Sequence, residues 1–91
     1  MRLDKYLKVS RLIKRRTVAN EVTSAGRVFI NDKVAKPSTE VKEEDILRLE
    51  YFNKTLIAKI IKVPAGNVSI QESKDLYEIT QEIYKSGKDE V

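Results

Sequence analysis

Early in the chain apolar residues recur every three or four positions; past Gly26 they recur every second one. Leu3 and Leu7 stand four apart, with Arg2, Lys5 and Lys8 turned away from them. That spacing predicts a short amphipathic helix over residues 2–9. Residues 10–14 read as a connector into a second helix, about Arg15 to Ala25, where Val18, Ala19, Val22 and Ala25 share one face. Gly26 is placed to end that helix in the left-handed conformation, which only glycine adopts without steric cost.

The alternating section predicts short strands. Val28 and Ile30 alternate with Arg27 and Phe29, Asn31-Asp32 supplies a tight turn, and Val34 continues into a return strand. Pro37-Ser38 interrupts that strand, and Val41 starts another short extended piece. Glu43-Glu44-Asp45 is expected as a turn of solvated acids ahead of a strand over Ile46 to Tyr51. Asn53-Lys54 turns again, and Thr55 to Val63 is the longest β-branched run. Pro64 to Asn67 breaks it and leaves a final strand near Val68 to Gln71. Leu76, Ile79, Thr80 and Ile83 then form a helical stripe. This predicts a closing helix over Asp75 to Lys85, with Tyr77 and Tyr84 as packing residues and a frayed tail from Ser86. The expected architecture is α+β: two N-terminal helices on a small, mostly antiparallel sheet. Residues 1–72 form the body, and residues 73–91 add a helix and tail packed on it.

Composition narrows the chemistry. The chain has 91 residues, enough for one domain and too few for two. It holds no cysteine and no histidine, so disulfides, thiolate catalysis and most transition-metal sites are excluded. It carries no P-loop, no dinucleotide glycine motif and no nucleophile with a base. No catalytic residue, cofactor or metal is therefore expected, and the chain reads as a binder and not an enzyme. No apolar run approaches the ~18 residues of a membrane helix, and the basic start lacks the apolar stretch of a secretory signal. A cytoplasmic protein is the expectation.

Charge says what it binds. The net charge is +4, but residues 1–36 hold ten Lys or Arg against three acids, while residues 37–91 hold eight against eleven. Concentration of cations at one end is the footprint of a polyanion-binding surface. Its densest part runs from Arg2 to Arg16, where Arg2, Lys5, Lys8, Arg11, Lys14, Arg15 and Arg16 face a single acid, Asp4. Arginine forks bond phosphate oxygens bidentately, whereas lysines act as mobile point charges. Arg16, Asn20 and Thr23 recur at i, i+4 and i+7, on a face distinct from the apolar one. Arg15, Arg16 and Thr17 open the helix, where free N–H groups and the dipole also favour phosphate.

Other readings of these residues stand beside that one. A basic helix can be merely a solvated face, or can lie on a membrane, though Leu3 and Leu7 alone are a poor apolar anchor. Asp4 reads as a helix-start acid or an orienting partner for a nearby arginine, not a catalytic group. Tyr6 could stack on a base or belong to the core.

The run Arg2-Leu-Asp-Lys-Tyr-Leu-Lys, then Arg15-Arg16-Thr17 with Ala19, then Gly26-Arg27-Val28 with Asn31 and Lys33, resembles the S4 RNA-binding domain, also called the α-L motif. The resemblance covers roughly residues 1–51. It implies an RNA surface built from two helices and a β-hairpin, with Arg2, Arg11, Arg15 and Arg16 facing RNA. Many members append this domain to a pseudouridine synthase or a tyrosyl-tRNA synthetase, for which this chain has no room.

Among stand-alone members, it is most similar to those acting in ribosome-associated quality control, and similar also to a small ribosome-associated heat-shock protein. That likeness implies binding to ribosomal RNA of large subunits obstructed by a P-site peptidyl-tRNA. The chain would there support C-terminal alanine tailing by a factor of the RqcH/NEMF class, as a monomer. Two alternatives remain at this point: recycling of stalled large subunits without tailing, as for the heat-shock type, and a regulatory nucleic-acid-binding module, DNA included. If about four to six phosphates are neutralised, log affinity should fall against log salt with a slope of roughly −3 to −4. A salt titration giving a slope near zero would remove the cationic-face reading.

Overall fold

The computed structural model describes residues 1–51 and 53–84. Helix α1 spans Leu3–Val9 and α2 spans Arg16–Ser24. Strands β1 (Val28–Ile30), β2 (Lys33–Val34), β3 (Ile46–Tyr51) and β4 (Lys54–Ile60) follow. A one-turn helix α3 (Ile70–Ser73) leads into β5 (Tyr77–Tyr84). The strands form one antiparallel sheet in the order β2-β1-β3-β4-β5.

Both N-terminal helices form where their apolar spacing places them. Leu3, Tyr6 and Leu7 are fully buried in the core with Val28, Leu47 and Ile60. Tyr6 therefore belongs to the core and not to a base-stacking surface. Its hydroxyl donates to the Leu76 carbonyl at 2.7 Å, and burial pushes its phenol pKa up, so it stays a donor. The inner face of α2 differs from the expected one. Ala19 and Thr23 are buried, Val18 and Val22 only half-buried, and Ala25 is exposed. Thr23 reaches the interior by returning its hydroxyl to the Ala19 carbonyl at 2.6 Å, so it leaves the RNA-facing stripe assigned from its spacing.

The connector turns on Arg11, whose φ of 63° is left-handed, and is anchored by buried Ile13. Gly26 ends the α2 segment at φ 79°, as its position predicts. Asn31 and Asp32 both have positive φ, and Ile30 pairs with Lys33, so the hairpin closes with a two-residue type I′ turn. The Asn31 side chain adds to it, accepting from the Ile46 N–H at 2.9 Å and donating to Asp45 at 3.1 Å. Around Val41, which is buried, no strand forms; the contact there is a single bridge between Arg2 and Glu40.

The C-terminal part departs most from the expectation. Residues 77–84 are a strand, not a helix, and pair with β4 as an edge of the same sheet. Tyr77, Ile79, Thr80, Ile83 and Tyr84 are β-formers, and β4 without β5 would leave a long backbone edge unpaired. That tertiary demand overrides the helical spacing. A bulge at Thr80, whose hydroxyl donates to the Ile57 carbonyl at 3.1 Å, takes up the mismatch. The strand expected near Val68 to Gln71 is instead the start of α3, set by a Ser69–Glu72 capping box. Strand β4 stops at Ile60, short of Val63. The frayed tail expected from Ser86 lies outside the described residues.

These differences change which side chains stabilise the fold. Leu76 is 3% exposed, whereas Ile79 is 41% and Ile83 45% exposed. Leu76→Ala should cost about 2–5 kcal/mol of unfolding free energy by removing packed core. Ile79→Asp should cost within about 1 kcal/mol, since it buries no charge. Urea melts of both variants check this; a larger loss at Ile79 would place its side chain inside.

Candidate nucleic-acid interface

Asp4 is the only acid in the basic opening, and it is 2% exposed in the first turn of α1. There it accepts from the Lys5 N–H at 2.8 Å, and its charge complements the positive end of the helix. Three further side chains converge on its carboxylate. Arg2 Nε lies 3.3 Å from Oδ1, with an arm 3.4 Å from Oδ2; Arg16 reaches Oδ1 at 3.4 Å, and Asn20 Nδ2 reaches Oδ2 at 3.4 Å. Burial alone would raise the Asp4 pKa. The Asn20 hydrogen bond, Arg16, the Lys5 N–H and Arg2 together outweigh it and hold the carboxyl below its ordinary 3.8.

The carboxylate thus gathers guanidinium groups while leaving them in reach of a ligand. The Arg2 and Arg16 side chains are about half exposed, at 50% and 48%. Arg16, Thr17 and Asn20, with Asp4 and Glu21, line an open cleft of about 390 Å³ beside α2. Arg15 is the N-cap of α2 in extended conformation, and no side chain caps the helix. The N–H groups of its first turn therefore stay free of side-chain acceptors. A phosphate approaching this end meets two arginine forks, a hydroxyl, a carboxamide and a helix N-terminus.

Of the nine residues singled out in the sequence, Arg2, Arg16 and Asn20 meet on one carboxylate, with Thr17 beside them in the cleft and Arg15 at the cap. Lys8, Arg11 and Lys14 are exposed around the connector, and Lys5 is half-buried. None of these four joins the Asp4 cluster through its side chain. Asp4 has the orienting role that its place between cations suggested. Tyr84, expected to be a packing residue, is 66% exposed. The helical spacing of Leu76, Ile79 and Ile83 around it hides that exposure in the sequence.

Residues 1–47 match the S4 domain family model. The chain is 45% identical over 82 residues to the "RQC P-site tRNA stabilizing factor" of Streptococcus pneumoniae, covering 90% of this chain and 92% of that protein. Identity to the factor of the same name from Listeria monocytogenes is 49%, covering 90% and 88%. A solved structure described as trimeric Heat Shock Protein 15 from Vibrio cholerae superposes with a TM-score of 0.81 at 30% identity, covering 88% and 81%. The chain belongs to the S4 domain family.

A prediction follows from Asp4. Asp4→Asn makes the surface more positive, yet should weaken RNA binding several-fold, because Arg2 and Arg16 lose the charge that orients them. Filter binding at fixed salt reads the sign, and tighter binding would show that charge alone matters. Since the folded pKa is depressed, the stability that Asp4 contributes is present above its unfolded value near 3.8. It is lost as pH falls through the lower folded value. Acid titration of the Asn variant should lack that loss.

Proposed function

We propose that this chain acts by binding, without catalysis, on large ribosomal subunits obstructed by a peptidyl-tRNA. It holds the tRNA in the P site while a tailing factor of the RqcH/NEMF class adds C-terminal alanines. The observation that carries this reading is the arginine pair fixed by buried Asp4, in a chain 45–49% identical over most of its length to factors named for stabilising P-site tRNA. A composite RNA site fits the geometry. Arg2 at the start of α1 and Arg16 and Asn20 of α2 meet on Asp4, so both helices contribute to one RNA-facing surface.

We infer that the chain acts as a monomer, unlike Heat Shock Protein 15, which is described as trimeric. A protein acting on ribosomes would work in the cytoplasm, and that is the location we infer. Among the described residues no helix is long and apolar enough to cross a membrane. The heat-shock-type reading, recycling without tailing, is supported by the TM-score of 0.81 to Heat Shock Protein 15.

Deleting the gene should abolish C-terminal alanine tails on stalled chains, and Arg16→Ala should behave like the deletion. Arg16→Lys should restore only part of the activity, because a point charge cannot form the bidentate contact. Mass spectrometry of stalled-chain termini and pull-down of peptidyl-tRNA-bearing large subunits read both results. Tails at normal levels without the protein would move the recycling alternative ahead.

A further inference from the structure

Beyond the end of α2 the sheet carries a cationic and aromatic shelf that the Asp4 cluster does not use. Tyr51 of β3 pairs with Lys54 of β4, and Lys54 pairs in turn with Tyr84 of β5. Cross-strand partners project from one face, and neighbouring strands stand about 4.8 Å apart, so the two tyrosines flank the lysine about 10 Å from each other. Alternation fixes the face: Leu47, Leu49, Leu56, Ala58 and Ile60 on the same side are all buried. The shelf is thus the core face of the sheet continued toward solvent. Tyr51 packs against the core, Tyr84 is 66% exposed, and the Lys54 ammonium lies 5.9 Å from the Tyr84 ring centroid.

Two openings meet at Tyr51. One, of about 200 Å³, is lined by Tyr51, Asn53, Lys54 and Tyr84. The other, of about 290 Å³, is lined by Val22, Arg27, Tyr51 and Asn53. Arg27 is exposed and makes no ion pair among the described residues. Val22 belongs to α2, so the second opening joins the shelf to the helix whose other end carries Arg16. Nine helical residues separate these ends by only about 13 Å, within reach of one RNA strand.

The mixture of groups selects the occupant. An apolar peptide side chain would gain nothing from the flanking cations. A nucleotide uses both: its base offers a π-face to the rings and its phosphate a charge to Lys54 or Arg27. Glu82 holds Lys54 at 3.5 Å and accepts from the Tyr84 hydroxyl at 3.3 Å. Such an exposed pair is weak in water and yields readily to a phosphate. We propose that Tyr51 and Tyr84 form a stacking slot for one unpaired RNA base, whose phosphate is held by Lys54 and Arg27. This rests on the reading of the chain as an RNA binder and adds what part of the RNA it takes.

Two RNAs test it on the full chain: a stem closed by an unpaired loop, and the same stem as uninterrupted duplex. Tyr84→Ala should weaken loop binding about tenfold and leave duplex binding within about twofold. Tyr84→Phe, which keeps the ring, should bind both like the parent. The ring's exposure means that the alanine variant should melt at the parent temperature, which a thermal scan verifies. Loop binding unchanged by Tyr84→Ala, or both RNAs weakened alike, overturns the slot. Arg16→Ala is the separate arm and should weaken both RNAs. If it does so while Tyr84→Ala changes nothing, the slot alone fails; if the parent binds neither RNA, the RNA reading fails with it.

Discussion

Two helices that start beside each other pose an electrostatic problem, because each presents the positive end of its dipole and here each end also carries arginine. The buried carboxylate of Asp4 resolves it. It lies in the first turn of α1 and within hydrogen-bonding distance of Arg2, Arg16 and Asn20. A lone buried carboxylate would be costly, and two crowded guanidinium groups would repel; together they form a paired group, still cationic overall, that ties α1 to α2. The rest of the cationic end is arranged around that tie. The connector between the helices turns back through left-handed Arg11 and is pinned by buried Ile13.

The sheet gives this end a rigid base. Its strands bury one face, through Val28, Leu47, Leu49, Leu56, Ala58 and Ile60, against the same core that takes Leu3, Tyr6 and Leu7 of α1. Tyr6 links the two ends of the sequence, since its hydroxyl bonds the carbonyl of Leu76 just before β5. On the sheet's other face, Arg48 stacks on its cross-strand partner Phe29, 4.1 Å from the ring centroid. Position of the arginines depends on helices that are packed and not merely amphipathic.

Much of this was legible in the sequence. The change of apolar period at Gly26 marked helices from strands, and the isolated acid among seven cations marked the residue that organises them. Helix faces were less legible, because Thr23 can satisfy its own hydroxyl and so enter the core. The last strand was not legible by periodicity. Leu76, Ile79 and Ile83 fit a helical stripe as well as any real helix, and the unpaired edge of β4, a tertiary fact, tips a segment of β-formers to a strand. The Ser69–Glu72 capping box was present in the sequence and would have located α3. With the helix went the slot, since Tyr84 joins Tyr51 and Lys54 only through strand register.

The hairpin turn has a consequence for how the molecule ages. Asn31 holds its place in the left-handed region through its own amide, which donates to Asp45 Oδ1 at 3.1 Å while its oxygen accepts from Ile46. Asparagine amides hydrolyse slowly, and Asn31 is exposed to water. Deamidation there would exchange the donated hydrogen bond for two carboxylates in contact, each raising the other's pKa. One spontaneous chemical event, adding a single negative charge, would loosen the turn where the hairpin meets the start of β3.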